Sequence, residues 1–490
     1  MKVFKRDQIF QIINKEREVN HLSDYDLLLC CAVCLFENIS QREDKNILIV
    51  CSNSVSGDIG VILAELLAKK TSKEVGLAHF YWDNCNLKGL VENTNIKVYS
   101  SLKDIKQHIS ANNLIVDCMF SIELKENVFY PFDLFIDWIN DSDNYVIAAD
   151  LPSGIDCDDG SVLFKAVKAN ETIAFQLAKP AYFLYPANSK CGKISYSSIS
   201  IGYDSITSAP SIGQLYSYKN VKEMLPQRQS HSHKGDYGKI LLIGGSDNYT
   251  GAAILAAKAI LKSGGGLLTV MSYNEVIDVF KIVLPEAMTV RIENNLIYQL
   301  ETFDFERFDT IVIGPGLSRN KNTEILLQYV LKTNKDVLID ADGLFYLKNN
   351  LALLNRNNNT IITPHMGEYQ HIFPYNAITI LKDLADIVHI YPSLTIVLKS
   401  ENTIIIDKNH VVFNDFGNNA LAKGGSGDVL AGVIAGFYSA NKQFESIVAA
   451  VSVHSLAADY WIKKHSSYSL LASDLIECID ILLADMEGKN

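Results

Sequence analysis

Lys423-Gly-Gly-Ser-Gly-Asp-Val-Leu-Ala-Gly432 carries a glycine-rich turn directly into a helix predicted over 428–440. Three glycines strip the turn of side-chain bulk, and the first N–H groups of a helix have no partner inside it. Together they form a pocket for phosphate oxygens at the positive end of the helix dipole. The backbone N–H groups of Gly425, Ser426 and Gly427 would hold the anion. An aspartate at this point, Asp428, can take a proton from a hydroxyl as that hydroxyl attacks a phosphoryl group. Taken alone, the stretch reads equally as a capped helix start behind a flexible turn.

The segments before this turn favour the chemical reading. Short β-branched runs predict strands over 239–243, 310–313, 337–339, 360–362, 395–398 and 403–406, with a helix over 251–262. Most of these strands end in Gly, Asp, His or Lys. Strands alternating with helices form parallel sheets, and such sheets bind ligands beyond the carboxyl ends of their strands. The strand-end motifs therefore converge on one crevice.

Those motifs are His233-Lys-Gly-Asp-Tyr-Gly-Lys-Ile-Leu-Leu-Ile-Gly-Gly-Ser246, Tyr249-Thr-Gly-Ala-Ala253, Ile313-Gly-Pro-Gly-Leu317, Asp340-Ala-Asp-Gly343 and Thr363-Pro-His-Met-Gly-Glu368. In this order, with Gly-Gly-Ser-Gly-Asp last, the chain from residue 227 resembles the ADP/ATP-dependent NAD(P)H-hydrate dehydratases of the ribokinase-like superfamily. The resemblance implies repair of NADH or NADPH that has taken up water on the nicotinamide ring. ADP or ATP, with Mg2+, would phosphorylate the ring hydroxyl, and phosphate would then leave. By motif, Ala252, Gly316 and His365 would contact the hydrated dinucleotide. Lys399, Ser400, Glu401, Asn402 and Thr403 would line the nucleotide site with Gly425, Ser426 and Gly427. Asp428 would meet the reacting hydroxyl as general base.

Several of these residues have structural alternatives. His365 could simply cap a helix beginning near Glu368. Asp340 and Asp342 could be turn residues rather than neighbours of magnesium or substrate, and Lys399 could be a solvated strand end. His231 and His233 lack a carboxylate cluster, so no metal site is expected there. A small-molecule kinase of the same superfamily would use the same glycine turn.

The first half shows the same alternation, with strands predicted over 46–51, 75–81, 114–118, 145–149 and 172–176 and helices over 60–70 and 132–140. Asp150-Leu-Pro-Ser-Gly-Ile-Asp156 follows one strand, and Asp117 follows the apolar run of another. On these residues and the Lys179 region, this half resembles the NAD(P)H-hydrate epimerase domain often fused ahead of the dehydratase. That resemblance implies interconversion of the R and S hydrates, with Asp150 as acid/base and substrate contact and with Asp117 and Ser153 on a potassium ion. The family's phosphate loop reads Asn-Asn-Gly-Gly-Asp-Gly, whereas this chain has Ser54-Val-Ser-Gly-Asp-Ile59. Val55 offers no oxygen where the family binds potassium. Glu123 brings negative charge to a stretch that is Gly-Thr-Gly in the family. The half is thus either an altered epimerase or a domain kept for packing or assembly.

Composition sets the outer limits. At 490 residues the chain is too long for one core. Its 48% hydrophobic and 20% charged content argues against disorder. A formal charge of −12 disfavours nucleic-acid binding but not small phosphate ligands held by local backbone groups. The start of the chain lacks the apolar stretch of a signal peptide. The longest apolar run, Leu27-Leu-Leu-Cys-Cys-Ala-Val-Cys-Leu-Phe36, is about half of a membrane span. A cytoplasmic protein without a membrane partner or disulfides is expected, and Cys31-Ala-Val-Cys34 reads as buried helix packing. The predicted fold is α/β in two domains: a Rossmann-like three-layer sandwich over 1–212 and a ribokinase-like α/β domain over 227–490. Residues 213–226 are expected as a linker, and the chain is expected to form a homo-oligomer.

Overall fold

Period-two alternation decides what each strand of the first half buries. In the strand Asn46–Cys51, Leu48 and Val50 join one apolar cluster with Ile105, Ile109, Phe135 and Ile136. Those residues come from the helices Leu102–Ile109 and Phe132–Asn140. The alternate residues Ile49 and Cys51 face the helix Val55–Lys70. Gly60 of that helix approaches so closely that a Cβ would meet Cys51 Sγ and lie 2.9 Å from Cys118 Cβ. A sheet with helices on both faces is the result, a three-layer sandwich.

The computed structural model describes residues 1–111, 114–376 and 378–489 and divides into two compact units, Met1–Gln214 and Leu215–Asn490. Asn112, Asn113, Ala377 and Asn490, which the predicted domain ranges include, lie outside the described residues.

Seven parallel strands form the first unit's main sheet. Their spatial order is Lys97–Tyr99, Glu74–His79, Asn46–Cys51, Leu114–Cys118, Tyr145–Ala149, Glu171–Phe175 and Lys193–Ser197. Chain order reverses between Asn46–Cys51 and Leu114–Cys118, the position where doubly wound sheets open a crevice. The helix predicted over 60–70 starts five residues earlier, because Ser54 caps it and accepts from the Gly57 N–H at 3.0 Å. Cys31 and Cys34 are buried in the helix Asp24–Ser40, as packing predicts.

In the second unit the parallel run is Leu394–Leu398, Thr360–Ile362, Asp336–Ile339, Thr310–Ile313, Lys239–Ile243, Leu267–Ser272 and Met288–Arg291. Two antiparallel strands, Ile404–Ile406 and Val411–Phe413, extend it beyond Leu394–Leu398. Ile240, Leu242, Val312 and Leu338 pack into the core beneath the helices Thr250–Lys262, Ser426–Asn441 and Phe444–Ile462. The alternate residues Leu241, Ile311 and Val337 are equally buried, so both faces of the sheet are covered. Gly432 lets two of those helices nearly touch: a Cβ there would run into the Ala256 carbonyl and lie 2.6 Å from Ala259 Cβ.

Between 213 and 226, where a linker is expected, the structure has the helix Tyr218–Met224. A Ser217–Asn220 capping box starts it, and Val221 is fully buried in the second unit's core. No single helix among the described residues is long and apolar enough to cross a membrane.

Candidate active site

Register levels the carboxyl ends of the second unit's strands. Ile243 pairs with Ile313, Ile313 with Ile339, and Ile339 with Ile362. The residues that follow, Gly244, Gly314, Asp340 and Thr363, therefore emerge side by side. Gly314, at φ +126°, sits where a Cβ would collide with the Asp340 carbonyl. Only glycine fits that approach.

Asp340 is buried and receives two side chains. Lys399 Nζ lies 2.9 Å from its Oδ1, and Thr363 Oγ1 donates to the same oxygen at 2.7 Å. Ala341, at φ +47°, turns the chain so that Asp342 points elsewhere. Its carboxylate accepts from the Ser318 N–H at 2.8 Å and from Arg319 Nε at 3.3 Å. A non-glycine residue in that region stores strain, which is common where a site fixes its side chains.

Lys399 also stands 3.8 Å from Glu368 Oε2, and a Cβ on Gly427 would lie 3.5 Å from its Nζ. The lysine thus reaches the glycine turn. Burial alone would lower the Lys399 ammonium, but Asp340, Glu368 and Asp428 outweigh it and hold it above the ordinary lysine value. Asp428 lies in the first turn of the helix Ser426–Asn441. Burial first, and then Asp340, Asp342 and Glu368, push its carboxyl up to about 7 against the pull of Lys399. A carboxylate poised there can gain and lose a proton near neutrality. Asp340, Glu368 and Asp428 bear on the one lysine while Asp342 pairs with Arg319. Among the described residues no three metal-ligating side chains converge, so a divalent cation here would be held chiefly by the phosphate that carries it in.

His365 serves as the cap that its position allows. Its Nδ1 accepts from the Glu368 N–H at 3.1 Å, while Glu368 Oε2 accepts from the His365 N–H at 2.8 Å. Lys399 N–H donates to the Pro364 carbonyl at 2.8 Å, so the capped turn and the lysine are joined through backbone. Beside them opens a cavity of about 180 Å3 lined by Arg319, Phe345, His365, Glu368 and His371.

The remaining residues singled out by sequence fall into two groups. Gly316, at φ +65°, packs against Tyr249 and Ala252, with the Ala252 Cβ only 3.0 Å from where its own would be. Gly425, at φ +94°, abuts Leu255 of the helix that carries Ala252. Ser400, Glu401 and Asn402 form the turn after Leu394–Leu398, where Ser400 Oγ donates to the Asn402 carbonyl at 2.6 Å. Thr403 is buried beside the return strand Ile404–Ile406. Ser426 Oγ is spent locally, donating to the Leu421 and Lys423 carbonyls at 2.9 Å.

Sequence reasoning missed His454. It lies in the helix Phe444–Ile462, is 5% exposed, and places Nε2 3.0 Å from the Ser426 carbonyl. Burial pushes this imidazole down to about 4, so it is neutral. A histidine inside an apolar run reads from sequence as packing, and no spacing rule links it to a turn 28 residues earlier.

In the first unit, Asp150 follows the strand Tyr145–Ala149 at φ +66°. Its Oδ1 meets the buried Lys179 Nζ at 2.6 Å and the Phe175 N–H at 2.9 Å, and Ser121 Oγ donates to Oδ2 at 3.1 Å. Asp117 and Ser153 turn on each other. Ser153 Oγ donates to Asp117 Oδ1 at 2.6 Å, and the Ser153 N–H donates to Oδ2 at 2.8 Å. Burial pushes the Asp117 carboxyl up to about 6. Val55 is 57% exposed and supplies no oxygen. This donor set fits its own hydrogen bonds rather than a potassium cage. Glu123 Oε1 is buried without a hydrogen-bond partner among the described residues, and burial raises this carboxyl against nearby N–H groups of Glu123, Ser121 and Ser56.

Comparison with known proteins meets this geometry at both units. The NAD(P)H-hydrate dehydratase family matches residues 240–480, and the YjeF-related protein N-terminus family matches residues 26–181. A bifunctional NAD(P)H-hydrate repair enzyme of Dictyoglomus turgidum is 29% identical over 473 residues, covering 92% of this chain and 91% of its own. One from Archaeoglobus fulgidus is 31% identical over 376 residues, covering 75% of this chain and 74% of its own. A solved ribokinase-like superfamily protein of Enterococcus faecalis is 29% identical with a TM-score of 0.50, covering 56% of this chain and 96% of its own. Matches spanning both units in one chain place this protein in the family of bifunctional NAD(P)H-hydrate repair enzymes.

Proposed function

We propose that the second unit dehydrates (6S)-hydrated NADH or NADPH at the expense of ADP or ATP. The observation that carries this reading is the placement of Asp428 in the first helical turn behind the glycine turn, with Lys399 tying that turn to Asp340. The N–H groups of Gly425 and Gly427 hold the terminal phosphate with Lys399 beside them, and the Ser426 N–H, which donates to the Lys423 carbonyl at 3.4 Å, shapes the turn. Mg2+, which keeps several waters and binds through phosphate oxygens and one or two carboxylates, would sit toward Asp340 and Glu368 and offset charge on the phosphates.

Asp428 takes the proton of the C6 hydroxyl as its oxygen attacks phosphorus and the nucleotide leaves. The ring nitrogen's lone pair then expels phosphate from C6, and loss of a proton from C5 restores the double bond. Gly316 and Ala252 present a surface without bulk to the dinucleotide, and His365, whose Nδ1 accepts from the Glu368 N–H, flanks it. Mixing the full chain with hydrated NADH and either nucleotide tests the reading. Return of the reduced-nicotinamide absorbance is expected; no return with either nucleotide overturns it.

For the first unit, the Asp150–Lys179 pair favours interconversion of the R and S hydrates, with Asp150 as acid/base. With a mixture of both hydrates, the whole pool should be repaired faster than spontaneous epimerisation allows. Repair of the S fraction alone, followed by a spontaneous-rate tail, overturns it.

A further inference from the structure

The peptide joining Ser426 to Gly427 is held from behind. Its carbonyl lies 3.0 Å from His454 Nε2, and a carbonyl only accepts, so Nε2 carries the proton. The other end of that peptide is the Gly427 N–H, in the first turn of the helix, where N–H groups lack intrahelical partners. A donor on the carbonyl fixes the plane of the peptide and polarises its N–H, because hydrogen bonds in series strengthen one another.

The helix that carries His454 also grips the segment leading into the turn. Asn414 Nδ2 donates to Ser455 Oγ at 3.1 Å. Asp459 accepts from the Gly417 N–H and from Asn418 Nδ2, each at 2.8 Å. Both approaches to the glycine turn thus rest on one helix, Phe444–Ile462.

We propose that His454 is a positioning residue, which aims and polarises the Gly427 N–H toward the terminal phosphate of the bound nucleotide. This rests on the phosphate-binding role of the turn proposed above. It does not require hydrate repair to be the reaction.

The test is direct binding of ADP and ATP, with magnesium, to the full chain carrying His454→Gln or His454→Leu. Glutamine keeps an N–H donor near the place of Nε2, whereas leucine keeps bulk and removes the donor. His454→Leu should weaken nucleotide binding about tenfold, a free-energy change of about 1.4 kcal/mol. His454→Gln should recover most of it, and the KM for hydrated dinucleotide should stay unchanged in both. Equal weakening in both variants, in step with their loss of thermal stability, assigns His454 to packing and overturns the proposal. Unchanged binding in His454→Leu overturns it as well. If His454→Leu does not fold, His454→Asn, too short to reach the carbonyl, takes its place in the comparison. An unmutated chain that binds neither nucleotide overturns this proposal together with the phosphate role of the turn. One that binds but repairs nothing overturns only the reaction.

Discussion

Lys399 Nζ stands 2.9 Å from Asp340 Oδ1 while a Cβ on Gly427 would lie 3.5 Å from it, so one ammonium ties a strand-end carboxylate to the glycine turn. Asp340 is 2% exposed at its side chain, and Lys399 is 20% exposed. Removing the lysine would strand a buried charge, and breaking a buried pair in this way costs about 3–5 kcal/mol. Lys399→Ala should lower thermal stability by that order and raise the KM for nucleotide. A melting curve and nucleotide-dependent kinetics check both effects; a variant with unchanged KM removes Lys399 from the nucleotide site.

Asp428 should set the acid limb of the pH profile. A base must be ionised, so kcat/KM for the hydrate should rise with pH and level off above about 7. Stability runs the opposite way. A carboxyl raised from its unfolded value near 3.8 contributes stability that is fully present below that value and lost as pH rises through about 7. Asp428→Asn should therefore abolish turnover, keep nucleotide binding, and gain on the order of 2 kcal/mol of stability at pH 8 in the absence of ligands. Retained turnover would take Asp428 out of the base role.

Ser153→Ala should destabilise the first unit by about 1–3 kcal/mol, because Asp117 would lose the hydroxyl that meets its Oδ1 at 2.6 Å. With the folded Asp117 carboxyl moved further above about 6, the loss should grow as pH rises from 5 to 8. Denaturant unfolding at the two pH values reads this. A loss that is the same at both contradicts the hydrogen-bonded account of the pair. If Asp117 and Ser153 instead hold potassium, added potassium chloride should stabilise the protein more than sodium chloride does; equal effects are expected.

Gly432→Ala tests packing away from the chemistry. The new Cβ would press on the Ala256 carbonyl and on Ala259 Cβ at 2.6 Å, and overpacking of that kind costs about 1–3 kcal/mol. Unfolding by heat should move down while the pH profile keeps its shape.

The strand-end motifs made the second unit's sheet and site legible because each pairs a β-branched run with a residue that has one evident use there. Gly314 and Gly316 carry positive φ, and Asp340 and Lys399 meet across the strand Thr360–Ile362 that separates theirs. Elsewhere local signals misled. Gly57 reads as part of a loop, yet it lies inside the helix Val55–Lys70, where the Ser52 carbonyl stands too close for a Cβ. The Ser217–Asn220 capping box, a legible helix start, lies inside the stretch expected as a linker. Asp117 and Ser153 match a cation's oxygen ligands by type, but type does not reveal that they satisfy each other. His454 needed the three-dimensional contact itself.

The central claim is that the turn at Gly425–Asp428 drives dehydration of a hydrated nicotinamide. Its most direct test is stoichiometry: reduced dinucleotide regenerated and inorganic phosphate released, measured together on the full chain with (6S)-hydrated NADH, magnesium and ADP or ATP. The account predicts one NADH and one phosphate for each nucleotide consumed, and neither product in Asp428→Asn. Nucleotide consumption that yields a stable phosphorylated product and no NADH would contradict it.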